Sequence, residues 1–196
     1  MSNAAHRCVA VALLAILAIA MTPLTALATP VGGMQPTPSP RSHCVATVNG
    51  EGVRCFATFK EAIMVATGGL VHDAPAHPTD AVSSKAFETK VNSIEPGLAA
   101  SYLLSIEYHC KRYATFSCST LNVTGAGPCD ANADLDWSLA YVGDAHNDRF
   151  SSFKGYSNCA VRHYEDRDFG GVRTEPATLS PDLGAMNDET SSLTFY

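Results

Sequence analysis

The chain has 196 residues, with 13 Lys+Arg against 19 Asp+Glu and a formal net charge of −6. No basic patch with interleaved aromatics occurs, which excludes the usual nucleic-acid partner. Mild acidity suits cation binding but is also an ordinary solubility device, so charge alone selects no function.

Residues 1–28 read as a signal peptide. His6 and Arg7 precede an apolar run from Cys8 to Met21, and Ala26-Leu27-Ala28 forms a small-residue cleavage signature before Thr29. The run is too short for a comfortable span, and no other stretch approaches the roughly 20 apolar residues that one needs. The mature chain is therefore expected to be secreted, with no membrane span. Cys8 leaves with the signal, and six cysteines remain: Cys44, Cys55, Cys110, Cys118, Cys129 and Cys159. An even number in an oxidising compartment predicts three disulfides, and no spacing is C-x-x-C. Cys44 with Cys55 is the expected clip across a short turn. The other four are expected to pair within the C-terminal domain, in an order that spacing does not choose.

Residues 29–43 carry four prolines and read as an extended linker. From Cys44 to Phe56 the pattern alternates about Asn49-Gly50, a hairpin signal. Thr58 and Glu61 form a capping box, followed by Phe59, Ala62, Ile63 and Ala66 at helical spacing, with Gly68-Gly69 as the stop. Residues 44–71 thus make a small disulfide-clipped hairpin plus helix, too little to be stable alone. Residues 72–98, with Pro75, Pro78 and Pro96, read as a second linker. The rest, 99–196, is the right length for one compact domain. Its segments 101–108, 116–123, 157–164 and 192–196 are short, rich in aromatic or β-branched residues, and separated by Gly, Pro, Asn and Asp. No helical period is sustained there, so the expected fold class is all-β, a sandwich of two antiparallel sheets.

Two hexapeptides in this region nearly repeat: Asn147-Asp148-Arg149-Phe150-Ser151-Ser152 and Asn187-Asp188-Glu189-Thr190-Ser191-Ser192. Both read N-D-x-x-S-S, and each is followed by a tyrosine in the tenth place, Tyr156 and Tyr196. The shared positions are an amide, a carboxylate and two hydroxyls, the donor set of a hard cation. Duplication also implies a domain built from two copies of one supersecondary unit. A second motif, Tyr164-Glu-Asp-Arg-Asp-Phe169-Gly170-Gly171, spaces two aromatics to fold a hairpin back on itself, with Gly171 where the backbone leaves the β region. Tyr108 to Tyr113 is its first copy, with Thr115 in the glycine place. The first unit is also longer, and the extra length lies around 118–136, which Cys118 and Cys129 are placed to pin.

Taken together, the folded-hairpin motif and the N-D-x-x-S-S repeat resemble the βγ-crystallin Greek key. The likeness covers roughly 99–196 and is nearest to bacterial secreted members, including a metalloproteinase-inhibitor-like branch. The segment C-F-x-T-F-x-E-A-I with A-T-G-G is similar to a leader module of such proteins. The resemblance implies two Greek-key motifs in a βγ-crystallin-like sandwich, preceded by the hairpin-helix module. It further implies Ca²⁺ at each N-D-x-x-S-S loop. One site would use the Arg149 carbonyl, the Ser151 hydroxyl and the Asp188 side chain. The other would use the Glu189 carbonyl, the Ser191 hydroxyl and the Asp148 side chain, with Asn147 and Asn187 opening the two loops. So few carboxylates imply modest affinity, of the order of 10⁻⁵ to 10⁻³ M. Ser152 and Ser192 are expected to stitch the loops rather than touch metal. Asx and Ser side chains also close loops without an ion, which is the structural alternative.

Other candidates are weaker. Asp130 to Asp136 imitates half of an EF-hand loop, but Leu135 stands where Gly belongs and Tyr141 where the bidentate Glu belongs, so it reads as a solvated acidic loop. His163, beside Glu165 and Asp166, reads as a surface histidine. Trp137 reads as core, and the sequon Asn122-Val-Thr124 matters only in a glycosylating host. No nucleophile, zinc or phosphate-binding motif occurs, and the chain is expected not to be an enzyme. The expected function is a secreted, calcium-binding, non-catalytic protein. The alternatives are a secreted metalloproteinase inhibitor acting through 118–136, with a protease as partner, and a toxin-like or surface-interaction module.

Overall fold

The computed structural model describes residues 42–48, 50, 52–114, 118–130 and 132–196. The expected signal peptide, most of the first linker, Asn49 and Thr115 lie outside the described residues. Among those described, no helix is long and apolar enough to cross a membrane.

Among the described residues nine strands and three α-helices follow in order: β1 His43–Thr47, β2 Val53–Phe56, α1 Phe59–Ala66, α2 Pro78–Ser83, α3 Lys85–Asn92, β3 Tyr102–Tyr108, β4 Thr120–Gly125, β5 Trp137–Leu139, β6 Ser152–Gly155, β7 Val161–Tyr164, β8 Leu179–Ser180 and β9 Ser192–Phe195. They form two sheets. One has the order β2-β1-β4-β3-β6-β8, the other β5-β9-β7. A further edge runs beside β7 through the bridges Val161–Ala177 and Tyr164–Arg173. From β3 onward the topology is duplicated. β3 to β6 make one four-strand unit, and β7, the 173–177 edge, β8 and β9 make the second. The third strand of each unit, β5 and β8, lies in the other unit's sheet. Each sheet therefore contains strands of both units, and neither unit can be complete alone.

The interior between the sheets is filled by Tyr102, Leu104, Leu121, Val123, Phe153, Val161, Leu193 and Phe195, with Phe150 and Met186 from the loops. A second core lies on the other face of the six-stranded sheet, where Leu103, Ile106, Tyr108 and Val45 meet Phe59, Ile63, Phe87 and Val91 of the helices. With both faces covered, all seven residues of β3 are buried. Its pairing with β4 shifts register between Leu103 and Ser105. Such a bulge exchanges the faces: Tyr102 and Leu104 point between the sheets, whereas Ile106 and Tyr108 point to the helices.

Helix α1 forms as its sequence predicts. Thr58 Oγ1 accepts from Glu61 N at 3.2 Å, Glu61 Oε2 accepts from Thr58 N at 3.2 Å, and the buried residues are Phe59, Ala62, Ile63 and Ala66. The hairpin before it is not a separate ornament, because β1 pairs in parallel with β4 from His43–Thr120 to Thr47–Thr124 and extends the main sheet. Asn122 of the sequon is fully buried in this pairing, its Nδ2 donating to Cys44 O at 2.7 Å.

The stretch 72–98 differs from the linker expected of it, since it carries α2 and α3. Pro78 opens α2 at its first turn, where a missing N–H costs nothing. Side chains in and beside the sheet hold α2: Tyr108 donates to Pro78 O at 3.1 Å, Tyr156 to Ala81 O at 3.2 Å and Lys154 to Val82 O at 2.9 Å, while α3 is tied by Lys154 to Glu88 at 3.2 Å and by Ser157 N to Asn92 Oδ1 at 2.7 Å. These tertiary bonds add to local signals, since Ser84 Oγ caps α3 by accepting from Phe87 N at 3.2 Å. The disulfides are Cys44–Cys55, as expected, then Cys110–Cys118 and Cys129–Cys159. A Cys118–Cys129 clip is not formed. Instead Cys118 ties back to the first folded hairpin, and Cys129 to the turn before β7.

Candidate metal centre

Both folded hairpins are present and alike. Tyr108 packs edge-on against Tyr113 at 5.3 Å, and Tyr164 against Phe169 at 5.7 Å. Each ring pair needs two consecutive residues in the left-handed region, Arg112 and Tyr113 in one hairpin and Asp168 and Phe169 in the other, with φ between 54° and 67°. Gly171 has φ +72°, and a Cβ there would meet the Glu165 side chain at 2.8 Å. The two closing serines anchor these hairpins. Ser152 Oγ donates to Cys110 O at 2.5 Å and accepts from Tyr113 N at 3.2 Å. Ser192 Oγ donates to Asp166 O at 2.6 Å and accepts from Phe169 N at 3.1 Å.

The repeated loops meet each other through reciprocal backbone bonds. Asp148 N donates to Thr190 O at 3.2 Å, and Asp188 N to Phe150 O at 2.9 Å. Ser151 N reaches Tyr108 O at 2.9 Å, and Ser191 N reaches Tyr164 O at 2.8 Å. Asp148 and Asp188 both sit at positive φ, 56° and 59°, a conformation that Asp tolerates better than most residues. Asn147 Nδ2 donates to Asp148 Oδ2 at 2.6 Å, and Asn187 Nδ2 to Asp188 Oδ2 at 2.9 Å. The other amide oxygens, Asn147 Oδ1 and Asn187 Oδ1, are buried without a partner. The carbonyls of Arg149 and Glu189 accept no hydrogen bond among the described residues.

The loops differ in what their fifth residues do. Ser151 Oγ donates to Asp188 Oδ1 at 3.1 Å and approaches His109 O at 3.3 Å. Ser191, only 5% exposed, makes no side-chain hydrogen bond among the described residues, and it lines a cleft with Asp148, Glu165, Asp166 and Glu189. Sequence reasoning had not placed Glu165 and Asp166 at a site, although their position just after Tyr164, beside the hairpin fold, was the available signal. The matching places in the first hairpin are His109 and Cys110. His109 and His146 are in contact, Nε2 to Nδ1 at 3.0 Å. Burial lowers His109 to about 4, with Arg149 adding to it; burial, then His109 and Arg149, lowers His146 to about 3.

The remaining candidates resolve as follows. His163 is not on the surface: it is fully buried between the sheets, with Nε2 2.9 Å from Glu107 Oε2, and Glu107 Oε1 accepts from Ser105 Oγ at 2.6 Å. Strand β7 places it inward because Val161 and His163 share the face that meets β3, which the polarity of its neighbours concealed. In the loop around 130–136, Asp130, Asn132 and Asp134 are exposed and spend oxygens on their own turns, Asn132 N to Asp130 Oδ1 at 2.9 Å and Asp134 N to Asn132 Oδ1 at 2.6 Å. Trp137 is half-buried, packed over Gly125 and Gly127. Cys44, Cys55 and His146 bring ligand atoms within 4.8 Å of one another, but the two sulfurs are joined to each other and offer no thiolate.

The exchanged third strands, the two folded hairpins and the crossed N-D-x-x-S-S loops together define a double Greek key, the all-β class expected from the sequence. No family model matches the chain, and no curated protein matches it. Among solved structures, it is similar to a single mutant of a βγ-crystallin domain from Clostridium beijerinckii, with 23% identity over 47% of this chain and 97% of that one, at a TM-score of 0.34. A double mutant from the same organism matches at 23% identity, 47% and 96% coverage and a TM-score of 0.35. Scores this low bear no weight, and the class of the domain rests on its own topology and loops.

Proposed function

We propose that the protein is a secreted, non-catalytic, calcium-binding protein of βγ-crystallin type, with Ca²⁺ held where residues 147–152 and 187–192 cross. The observation that carries this reading is the reciprocal pairing of the loops, Asp148 N to Thr190 O at 3.2 Å and Asp188 N to Phe150 O at 2.9 Å, which crosses the acidic residue of each loop toward the other copy. A carboxylate, a hydroxyl and an unclaimed carbonyl on converging loops are oxygen donors only, which suits Ca²⁺ over Zn²⁺, and their irregular arrangement suits it over the strict octahedron of Mg²⁺. Bound ion would neutralise the loop carboxylates and tie the two units together. Binding to the folded chain alone stabilises it by mass action, by about 2.7 kcal/mol at a hundredfold excess over Kd.

The test is calcium titration of the mature chain by calorimetry, with melting in Ca²⁺ and in EDTA. Saturable heat and a melting temperature raised by roughly 5–10 °C are expected from that magnitude in a chain of this size. The paired variant Asp148→Ala, Asp188→Ala should abolish both effects. Absence of heat and of any shift up to millimolar Ca²⁺ would make the loops structural corners.

A further inference from the structure

Resting on that reading, we infer that the two loops are not equivalent: calcium is held at the 187–192 loop, with Glu165 as an additional carboxylate ligand, and the 147–152 loop is a closed structural corner. Ser151 and Ser191 occupy matching places and are equally buried, at 4% and 5% exposure. Yet Ser151 Oγ donates a hydrogen bond to Asp188 Oδ1, and the crossing carboxylate is thereby engaged within the protein. Ser191 has no such partner among the described residues and faces the cleft with its oxygen unclaimed. A nearly buried serine whose hydroxyl opens only onto a carboxylate cleft, unbonded within the protein, presents an oxygen that a cation in the cleft can take.

Charge separates the two places further. Around Ser191 stand Asp148, Glu165, Asp166 and Glu189, four carboxylates. Arg167 also lines the cleft, but its guanidinium lies 3.5 Å from the Tyr141 ring centre and 3.3 Å from Asp144 Oδ1, so part of its charge is spent there and the carboxylates still outnumber it. Around Ser151 the corresponding residues are Asp188, His109, Cys110 and Arg149. Calcium sites gain affinity with the number of ligand carboxylates, and a cation entering beside Arg149 meets repulsion where its counterpart meets Glu189. Glu165 Oε2 already accepts from Val172 N at 2.9 Å, which fixes its carboxylate at the head of the hairpin and leaves the second oxygen for an ion.

Calorimetric titration of the full mature chain with CaCl₂ tests this. One ion per chain is expected. Glu165→Gln, which keeps an acceptor for Val172, should weaken binding about tenfold or more as one ligand charge is lost. Asp148→Asn should do the same, whereas Asp188→Asn should leave the affinity within about twofold. Arg149→Glu should introduce a second, weaker binding event. Two ions of equal affinity, or Asp188→Asn weakening binding as much as Asp148→Asn, would overturn the inequivalence while leaving calcium binding intact. Affinity unchanged in Glu165→Gln would remove Glu165 as a ligand. No heat at all would sink the calcium reading itself, and melting of each variant in EDTA confirms that it is folded.

Discussion

The pair Glu107–His163 offers the most direct test of how the two sheets are joined. Glu107 lies on β3 and His163 on β7, in different sheets, and both side chains are fully removed from water. Their contact is 2.9 Å, with Ser105 Oγ closing the second carboxylate oxygen at 2.6 Å. Removing either partner strands the other as a buried polar or charged group, for which about 3–5 kcal/mol is the usual cost. His163→Leu and Glu107→Leu are each expected to lose that much. Against a total stability of roughly 5–15 kcal/mol, either change consumes about a fifth or more of it. In a chain of this size it lowers the melting temperature by roughly 6–20 °C. The double variant removes both polar groups together and should recover most of the loss, because apolar replacement of a buried pair is often near neutral. Urea unfolding of the four proteins at neutral pH measures the cycle. Single losses below about 1 kcal/mol that simply add in the double variant would show that the pair does not couple the sheets.

Further expectations follow from other contacts. Gly155→Ala would place a Cβ 2.2 Å from the Cys159 carbonyl oxygen, a clash with backbone rather than with a flexible side chain, and should cost about 3 kcal/mol. A urea midpoint equal to wild type would show that the β6 turn shifts freely. Burial holds His43 and His109 down to about 4 and His146 to about 3, so the folded chain binds fewer protons than the unfolded one, whose histidines titrate near 6.5. Stability is therefore fully present above pH 6.5 and declines as pH falls from there toward about 4, before the depressed carboxylates Asp73 and Asp182 contribute. Urea midpoints across that interval in EDTA should fall steadily, and a flat profile would contradict the burial of these rings. By loop-closure entropy, opening Cys129–Cys159, with a separation of 30, should cost about 3.6 kcal/mol and opening Cys110–Cys118, with a separation of 8, about 2.5 kcal/mol. Cys-to-Ala pairs compared by urea unfolding give the order, and a reversed order would point to native-state contacts in place of chain entropy.

What the sequence by itself determined are the features whose physics is local. The Thr58–Glu61 box and the 59, 62, 63, 66 spacing set α1, because capping and amphipathic periodicity act within one turn. The Tyr164–Phe169 and Tyr108–Tyr113 spacings set the folded hairpins, and the duplicated loops announced a two-unit domain, because a repeated local geometry demands repeated residues. Only the tertiary structure decided the rest. Helix α2 is held by bonds from Tyr108, Tyr156 and Lys154, and α3 by Lys154 and Ser157, all distant in the chain. The short β5 and β8 carry too few residues to show a period of their own, and they are strands because the opposite unit's sheet receives them. His163 goes inward because β7 faces β3, and Glu107 is waiting there. The inequality of the two loops has the same origin: the hexapeptides are nearly identical, but a cation responds to every charge within a few ångströms, and Glu165 and His109 reach those places only when the chain has folded.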